Sequence, residues 1–457
     1  MLGKADNPEK KEENKETEVK LKRKSPFVKI IIGFALVAIL GAVLLSLPIS
    51  SHERVYTRFD EALFTSTSAV CVTGLVVKDT ASYWSAFGQA IILVLIQIGG
   101  LGVITVAAAF ALIARKRISI MQRSTIQEAI SAPKIGGIVR LTLFILIMTV
   151  AFETIGAVAM MPEFIARFGG KGVWMAFFHS ISAFCNAGFD VMGAETGNFS
   201  SLSGFASSPL INIVVMLLIV IGGIGYITWD DIRNNKLHFK RYTVQTKMIL
   251  VTSAALIIVP AVFFFIFEFS DLAPGKRILV SLFQAVTPRT AGFNTVDLNE
   301  MTGAGRVIII VLMLIGGSPG STAGGMKTTT AAVLFCSMVS VFRRKHETGV
   351  FGRRIDPSVS HVAAAILMLY LTLFIGSGLV ISTVEGLPVN VCLFETASAV
   401  GTVGLSLGIT PGLGLASKLI LIVLMFIGRV GGLTIIYAAI SDRKDSSRLP
   451  LGKVTVG

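Results

Sequence analysis

Long apolar runs alternate with short polar connections along this chain, and the alternation follows a fixed order. Runs of about 20 residues or more, enough to cross a hydrocarbon core of roughly 30 Å as helices, occupy 27–49, 86–114, 138–160, 210–229, 248–269, 307–341, 361–383 and 418–440. Within each successive pair lies a shorter apolar stretch, at 59–71, 173–185, 277–288 and 388–400. A stretch that short cannot span, so it is expected to lie at the interface or to dip in and return. The order is span, half-dip, glycine, span, four times over. It predicts an all-α integral membrane protein with eight transmembrane helices and four re-entrant pore loops.

The repetition extends to register. Gly74, Gly188, Gly292 and Gly404 follow the half-dips at intervals of 114, 104 and 112 residues. Phe64, Phe178 and Phe394 each precede their glycine by ten residues, whereas Phe283 precedes Gly292 by nine. The returning runs carry Ile98-Gly-Gly100, Ile221-Gly-Gly223, Ile315-Gly-Gly317 and Ile427-Gly-Arg429, with Arg429 standing where the others have glycine. Self-similarity at a fixed period marks a repeat architecture. The predicted units are 27–114, 138–229, 247–341 and 357–440, between a disordered tail at 1–26 and a C-terminal tail at 441–457.

Composition removes the soluble classes. With 53% hydrophobic and 15% charged residues among 457, the chain belongs in a bilayer. Its net charge of +14 does not indicate nucleic acid. Of 41 basic residues, 29 fall in 1–29, 115–140, 230–247, 343–354 and 441–457, which are alternate connections. That asymmetry puts both termini on the cytoplasmic side of a multi-pass cell-membrane protein. No apolar secretory signal is expected in residues 1–26. Cys71, Cys185, Cys336 and Cys392 show no metal-binding spacing and read as small packing residues. An enzyme is not expected, because no phosphate-binding loop, zinc motif or nucleophile elbow is present.

Irregular backbone at membrane depth is tolerated only when buried in protein or facing water. Gathered around one axis, four glycine turns can aim carbonyl oxygens inward to replace the hydration shell of a cation. Each preceding half-helix would add its negative C-terminal end. No acidic ring flanks the glycines, so a monovalent cation is expected. The competing reading, that single glycines mark close helix packing, explains one such position but not four in register.

The third unit departs from the rest. A helix cannot continue through Gly316, Gly317, Ser318, Pro319, Gly320, Ser321, Thr322, Ala323, Gly324, Gly325 and Lys327, given the helix penalties of glycine and proline. The break lies at mid-membrane depth and is either a movable gate or a static kink. Arg429 is a charge inside a span. Either it faces the axis as a barrier to cations, or it pairs with freed carbonyls of the broken stretch. Glu153 is a second intramembrane charge, read as packed and paired. His179 and Glu395 read as hydrogen-bonded scaffolding.

With its four single-glycine turns, glycine-rich third return and arginine in the last, the chain resembles the Trk/Ktr/HKT potassium transporters over roughly residues 27–440, and within them the bacterial Ktr membrane subunits. The resemblance implies potassium uptake through a pseudo-fourfold pore. Its filter would comprise Val72, Thr73, Gly74, Asn186, Ala187, Gly188, Thr290, Ala291, Gly292, Thr402, Val403 and Gly404. It also implies that 316–327 and Arg429 gate the pore, that no cofactor is bound, and that potassium is the substrate with sodium open as an activator. The implied partners are a second copy, forming a homodimer, and a cytosolic RCK-type nucleotide-binding ring responsive to ATP and ADP. A cation-coupled secondary carrier with broken helices is the alternative.

Overall fold

Among the described residues four helices are long and apolar enough to cross a membrane unaided, namely Phe27–Ser46, Ile138–Phe168, Val244–Glu268 and Pro357–Glu385. The structure, a computed structural model, describes residues 26–113, 119–130, 136–236, 238–345, 347–432 and 434. Both tails foreseen in the sequence lie outside these, apart from residue 26. In chain order the principal helices are α1 (Pro26–Ser46), α2 (Phe59–Val70), α3 (Ala86–Leu101), α4 (Val103–Ile113), α5 (Ile120–Ala129), α6 (Ile138–Phe168) and α7 (Lys171–Phe184). They continue with α8 (Pro209–Gly223), α9 (Tyr226–Asn235), α10 (Val244–Phe263), α11 (Pro274–Val286), α12 (Gly303–Leu314), α13 (Thr328–Phe342), α14 (Pro357–Glu385), α15 (Val389–Gly401) and α16 (Leu415–Val430). One two-residue hairpin, Gly349–Val350 with Arg353–Arg354, is the sheet content of the described residues.

The long helices are apolar on all sides, and this tells what surrounds them. On α6 the buried positions Thr142, Ile145, Thr149, Glu153, Gly156, Met160 and Phe164 form one stripe at helical spacing. Leu143, Ile147, Val150, Ile155 and Val158 point outward on the other side. An outward face that is itself hydrophobic belongs against lipid.

Two of the eight runs read as straight spans are not straight. Ala86–Leu101 meets Val103–Ala109 at 96°, and Pro209–Gly223 meets Tyr226–Asn235 at 95°. The corners are Gly102 (φ 85°) and Gly225 (φ 93°), and Gly431 at the end of α16 has φ 91°. Each stands four residues past the isoleucine of its Ile-Gly motif. A positive φ of this kind is open to glycine and costly elsewhere. In the third unit that register holds Pro319, whose ring fixes φ near −65°. Here α12 stops at Leu314 and helix resumes only at Thr328.

Packing closes into a ring. Each long first helix lies against the short helix after it, in the pairs α1–α2, α6–α7, α10–α11 and α14–α15. Each returning helix then packs against the short helix of the next unit, in the pairs α3–α7, α8–α11, α12–α15 and α16–α2. The last pair returns to the first unit.

Candidate functional site

The four short helices converge on the four glycine turns, and the turns share a backbone conformation. Val72, Asn186, Thr290 and Thr402, each two residues before its glycine, have φ of 57°, 57°, 74° and 52°; the glycines have 92°, 67°, 80° and 95°. Left-handed conformations cost a non-glycine residue roughly 1–2 kcal/mol, so something must hold them. Thr73, Ala187 and Val403 donate backbone N–H bonds to the carbonyls of Ser68, Ser182 and Ser398, each 2.8 Å long. The hydroxyls of Ser68 and Ser398 accept from Gly74 N (3.1 Å) and Gly404 N (3.0 Å). Ser182 Oγ donates to Phe189 O at 2.7 Å.

The third unit is one residue shorter here, and the structure shows how it compensates. Thr287, five residues before its glycine instead of six, donates Oγ1 to Phe293 O at 2.6 Å and accepts the N–H of Ala291 at 3.0 Å. Arg289, buried beside it, donates Nη2 to Ser253 Oγ on α10 at 3.0 Å. These serine and threonine braces are absent from the sequence reading, although their spacing from the glycines carried the signal.

The turns meet around one axis. A methyl group on Gly74 would lie 2.5 Å from the carbonyl oxygen of Ala187, and one on Gly188 would lie 2.5 Å from that of Ala291. On Gly292 it would collide with Val403 O, and on Gly404 with Thr73 O. Thus each glycine abuts the carbonyl of the next unit, and the fourth abuts the first. On one side of this ring the four glycines open into a cavity of about 590 Å³ that also meets Asp79, Asp190 and Asp297. Burial lifts the Asp190 carboxyl to about 7; the Met192 N–H opposes the rise and the Asp79 carboxylate adds to it.

Two of the matched polar positions of the short helices, Gln284 and Glu395, bond the segments beyond the turns. Gln284 Nε2 donates to Asn294 Oδ1 (3.2 Å), and Glu395 accepts from Ser406 and, at 3.0 Å, from Thr410. His179 Nδ1 contacts Met175 O at 2.7 Å and its ring stacks on Phe164.

On the other side of the ring lies the broken segment. Its ends are pinned to each other, with Gly316 N donating to Met326 O (2.8 Å) and Thr328 N to Gly317 O (3.0 Å). The middle is bonded to carbonyls set free where neighbouring helices end. Ser318 N donates to Gly223 O (2.9 Å), Thr322 N to Gly222 O (3.3 Å) and Gly325 N to Gly428 O (3.1 Å), while Gly320 O accepts from Tyr226 N (2.7 Å). The repeated Ile-Gly motif therefore supplies sockets, as well as close packing of Gly99, Gly222 and Gly428 on Val70 O, Phe184 O and Val400 O at the short-helix ends. Lys327 Nζ donates to Ala323 O at 2.9 Å.

Arg429 reaches across this layer. It donates to Thr322 O of the broken segment and to Gly99 O and Gly100 O (3.0 Å) at the end of α3. Among the described residues it forms no ion pair; carbonyl dipoles hold its charge. It lines, with Lys327 and Tyr226, a cavity of about 230 Å³. Glu153 is bound by Gln97 Nε2 (3.2 Å) from α3 and by the Cys185 thiol (3.8 Å), so its partners are polar side chains rather than a cation. All four cysteines are free, and Cys71, Cys185 and Cys392 are buried.

A helical, membrane-spanning chain whose irregular backbone is collected around one internal axis belongs to the class of membrane transport proteins. The TrkH family model, described as cation transport protein, matches residues 5–447, and the chain belongs to that family. It is 40% identical over 427 residues to the potassium/sodium uptake protein NtpJ of Enterococcus hirae, covering 91% of this chain and 93% of that protein. It is 37% identical over 452 residues to the Ktr system potassium uptake protein B of Bacillus subtilis, covering 97% and 99%. The crystal structure of the potassium transporter TrkH from Vibrio parahaemolyticus superposes with a TM-score of 0.73 at 20% identity, over 92% of this chain and 86% of that one. The fold is shared.

Proposed function

We propose that the protein takes up potassium across the cell membrane, as the relatives named potassium uptake proteins do. In this reading eight spans and four re-entrant pore loops surround a pseudo-fourfold pore, with both termini in the cytoplasm. The four glycine turns are its filter. The observation that carries the reading is the closed contact of each glycine with the next unit's carbonyl, which supports backbone oxygens from four turns facing one axis. Such oxygens substitute for the water of a monovalent cation. The stretch 316–327 with Arg429 acts as the gate beneath them; its bonds to Gly222, Gly223 and Gly428 and those of Arg429 to Gly99 and Gly100 support this reading, and the charge of Arg429 would repel cations there. The pore works as a homodimer seated on a cytosolic nucleotide-binding ring, and sodium is a candidate activator.

Potassium and sodium flux into liposomes tests the filter. Gly74→Ser and Gly292→Ser each force a β-carbon into a left-handed turn and against a neighbouring carbonyl, so potassium flux falls roughly tenfold or more, consistent with strain of 1–2 kcal/mol. Unchanged flux and ion preference in both variants would remove the filter from this axis. Flux that runs down the potassium gradient with no second solute separates a pore from a coupled carrier.

A further inference from the structure

One residue of the broken segment is bonded to more of its surroundings than any gate alone requires. Thr322 is fully buried. Its N–H donates to Gly222 O (3.3 Å) at the end of α8, and its carbonyl accepts from Arg429 on α16. Its hydroxyl donates to Phe184 O (3.1 Å), the last residue of α7, and accepts from Asn186 Nδ2 (3.1 Å). Asn186 belongs to the second glycine turn itself. It holds a left-handed φ of 57° two residues before Gly188, it is fully buried, and its Oδ1 has no partner.

The other three turns lack this connection. Val72 has no polar side chain, Thr290 Oγ1 donates to Arg289 O (2.6 Å) within its own turn, and Thr402 Oγ1 lies against Gly324 without a hydrogen bond. The Asn186 amide therefore has one side-chain donor bond, and its acceptor is on the segment beneath the ring. If the segment moves and takes Thr322 with it, that bond must break, and a buried amide is left with neither of its polar atoms satisfied.

We infer that the Thr322 hydroxyl is a positioning residue for the second filter strand, so that the ion preference of the filter depends on where the gate segment lies. This rests on reading 316–327 as the gate. When the segment is in place, Asn186 is held below its turn and the Ala187 carbonyl is fixed against Gly74. Opening that leaves Thr322 in place keeps the strand tethered and selective, whereas opening that displaces Thr322 as well frees the strand, which then discriminates less between potassium and sodium. This hydrogen-bonded tether belongs to the second turn alone of the four, which makes the filter asymmetric in function as well as sequence.

The test is the potassium-to-sodium flux ratio in liposomes for Thr322→Val, Thr322→Ser, Asn186→Leu and the Thr322→Val/Asn186→Leu double variant. Removing the hydroxyl with Thr322→Val lowers the ratio about fivefold, equivalent to about 1 kcal/mol for one lost hydrogen bond; Thr322→Ser keeps the wild-type ratio. Asn186→Leu lowers it by a similar factor, and the double variant is no worse than either single one, the signature of a shared interaction. A wild-type ratio in Thr322→Val overturns the coupling, as do additive losses in the double variant. Should Thr322→Val fail to fold, Thr322→Ala with Thr322→Ser as its control carries the same comparison. Deleting Ser318 to Ala323 separates the two readings. Potassium flux unchanged by the deletion defeats the gate, whereas raised flux with a wild-type ratio in Thr322→Val leaves the gate standing and defeats only the coupling.

Discussion

At the scale of single residues, hydroxyls behind the glycines help to fix the turns. Gly74 N and Gly404 N are oriented by Ser68 and Ser398, and a strand held in left-handed conformations relaxes when such a bond is lost. Ser398→Ala leaves Gly404 N without its acceptor, a loss of about 1 kcal/mol. The expected result in liposomes is a potassium-to-sodium ratio lowered a few-fold with normal protein yield; a ratio equal to wild type would mean the brace is dispensable. Asp190 gives a second expectation, since its carboxyl is lifted to about 7 chiefly by burial and it lines the cavity on the glycine side of the ring. A raised value means that the negative charge is present above pH 7 and lost as the pH falls below it. Potassium uptake at low external concentration should therefore decline from pH 8 to pH 6 as local attraction for cations weakens. Asp190→Asn should be low and flat across that range, and a decline that persists in the variant would assign the titration elsewhere.

At the scale of elements, hydrophobicity located the helices and missed their corners. The sequence supports apolar runs at 86–114 and 210–229, and nothing in their hydropathy distinguishes a straight rod from two rods at 96° or 95°. The turn is decided by one φ angle at Gly102 or Gly225, to which a pattern of apolar positions is blind. What was readable was the register, because the corner glycines follow Ile98, Ile221 and Ile427 at a constant four residues, and Pro319 replaces glycine in the third unit. For the same reason the glycine turns were legible and the braces were not. A glycine at an unusual place announces a conformation, whereas a serine six residues before it shows only as a repeated spacing and does not name the group it bonds. The bonds of Arg429 join residues 107 to 330 positions apart; its pairing with the broken stretch, seen at Thr322 O, was one of two readings open in the sequence, while its acceptors Gly99 and Gly100 were not. Gly225→Ala tests the corner, since the new methyl would lie 2.6 Å from Pro319 O in a backbone with φ 93°. A penalty of about 1–2 kcal/mol is expected, read as a lower melting temperature in detergent together with raised potassium flux from a displaced gate segment. No change in either would mean that the corner and the segment are independent.

At the scale of the whole molecule, two sets of contacts close the same ring. Returning helices meet the next unit's short helix, and glycines meet the next unit's carbonyl, so neither depends on a single element. The ring has unlike sides: one opens past Asp79, Asp190 and Asp297, and the other holds Lys327 and Arg429. Cations are attracted on the first side and opposed on the second. An uptake pore works with the acidic side facing out, the orientation that the basic connections also favour. Cysteines introduced at Asn299, Asn234 and Arg344, which are exposed positions in connections on opposite sides of the proposed spans, convert this into a measurement. In intact cells a membrane-impermeant maleimide should label Asn299→Cys, and it should reach Asn234→Cys and Arg344→Cys only after the membrane is permeabilised. The three resident buried cysteines stay silent, and half-buried Cys336 is replaced by serine in the background. Labelling of Asn234→Cys in intact cells would place α9 outside and break the eight-span arrangement, whereas reversal at all three sites would keep the spans and invert the pore. The two outcomes separate the count of crossings from their direction. That separation matters because a filter of backbone oxygens works in either orientation, but an acidic entrance assists uptake only from outside.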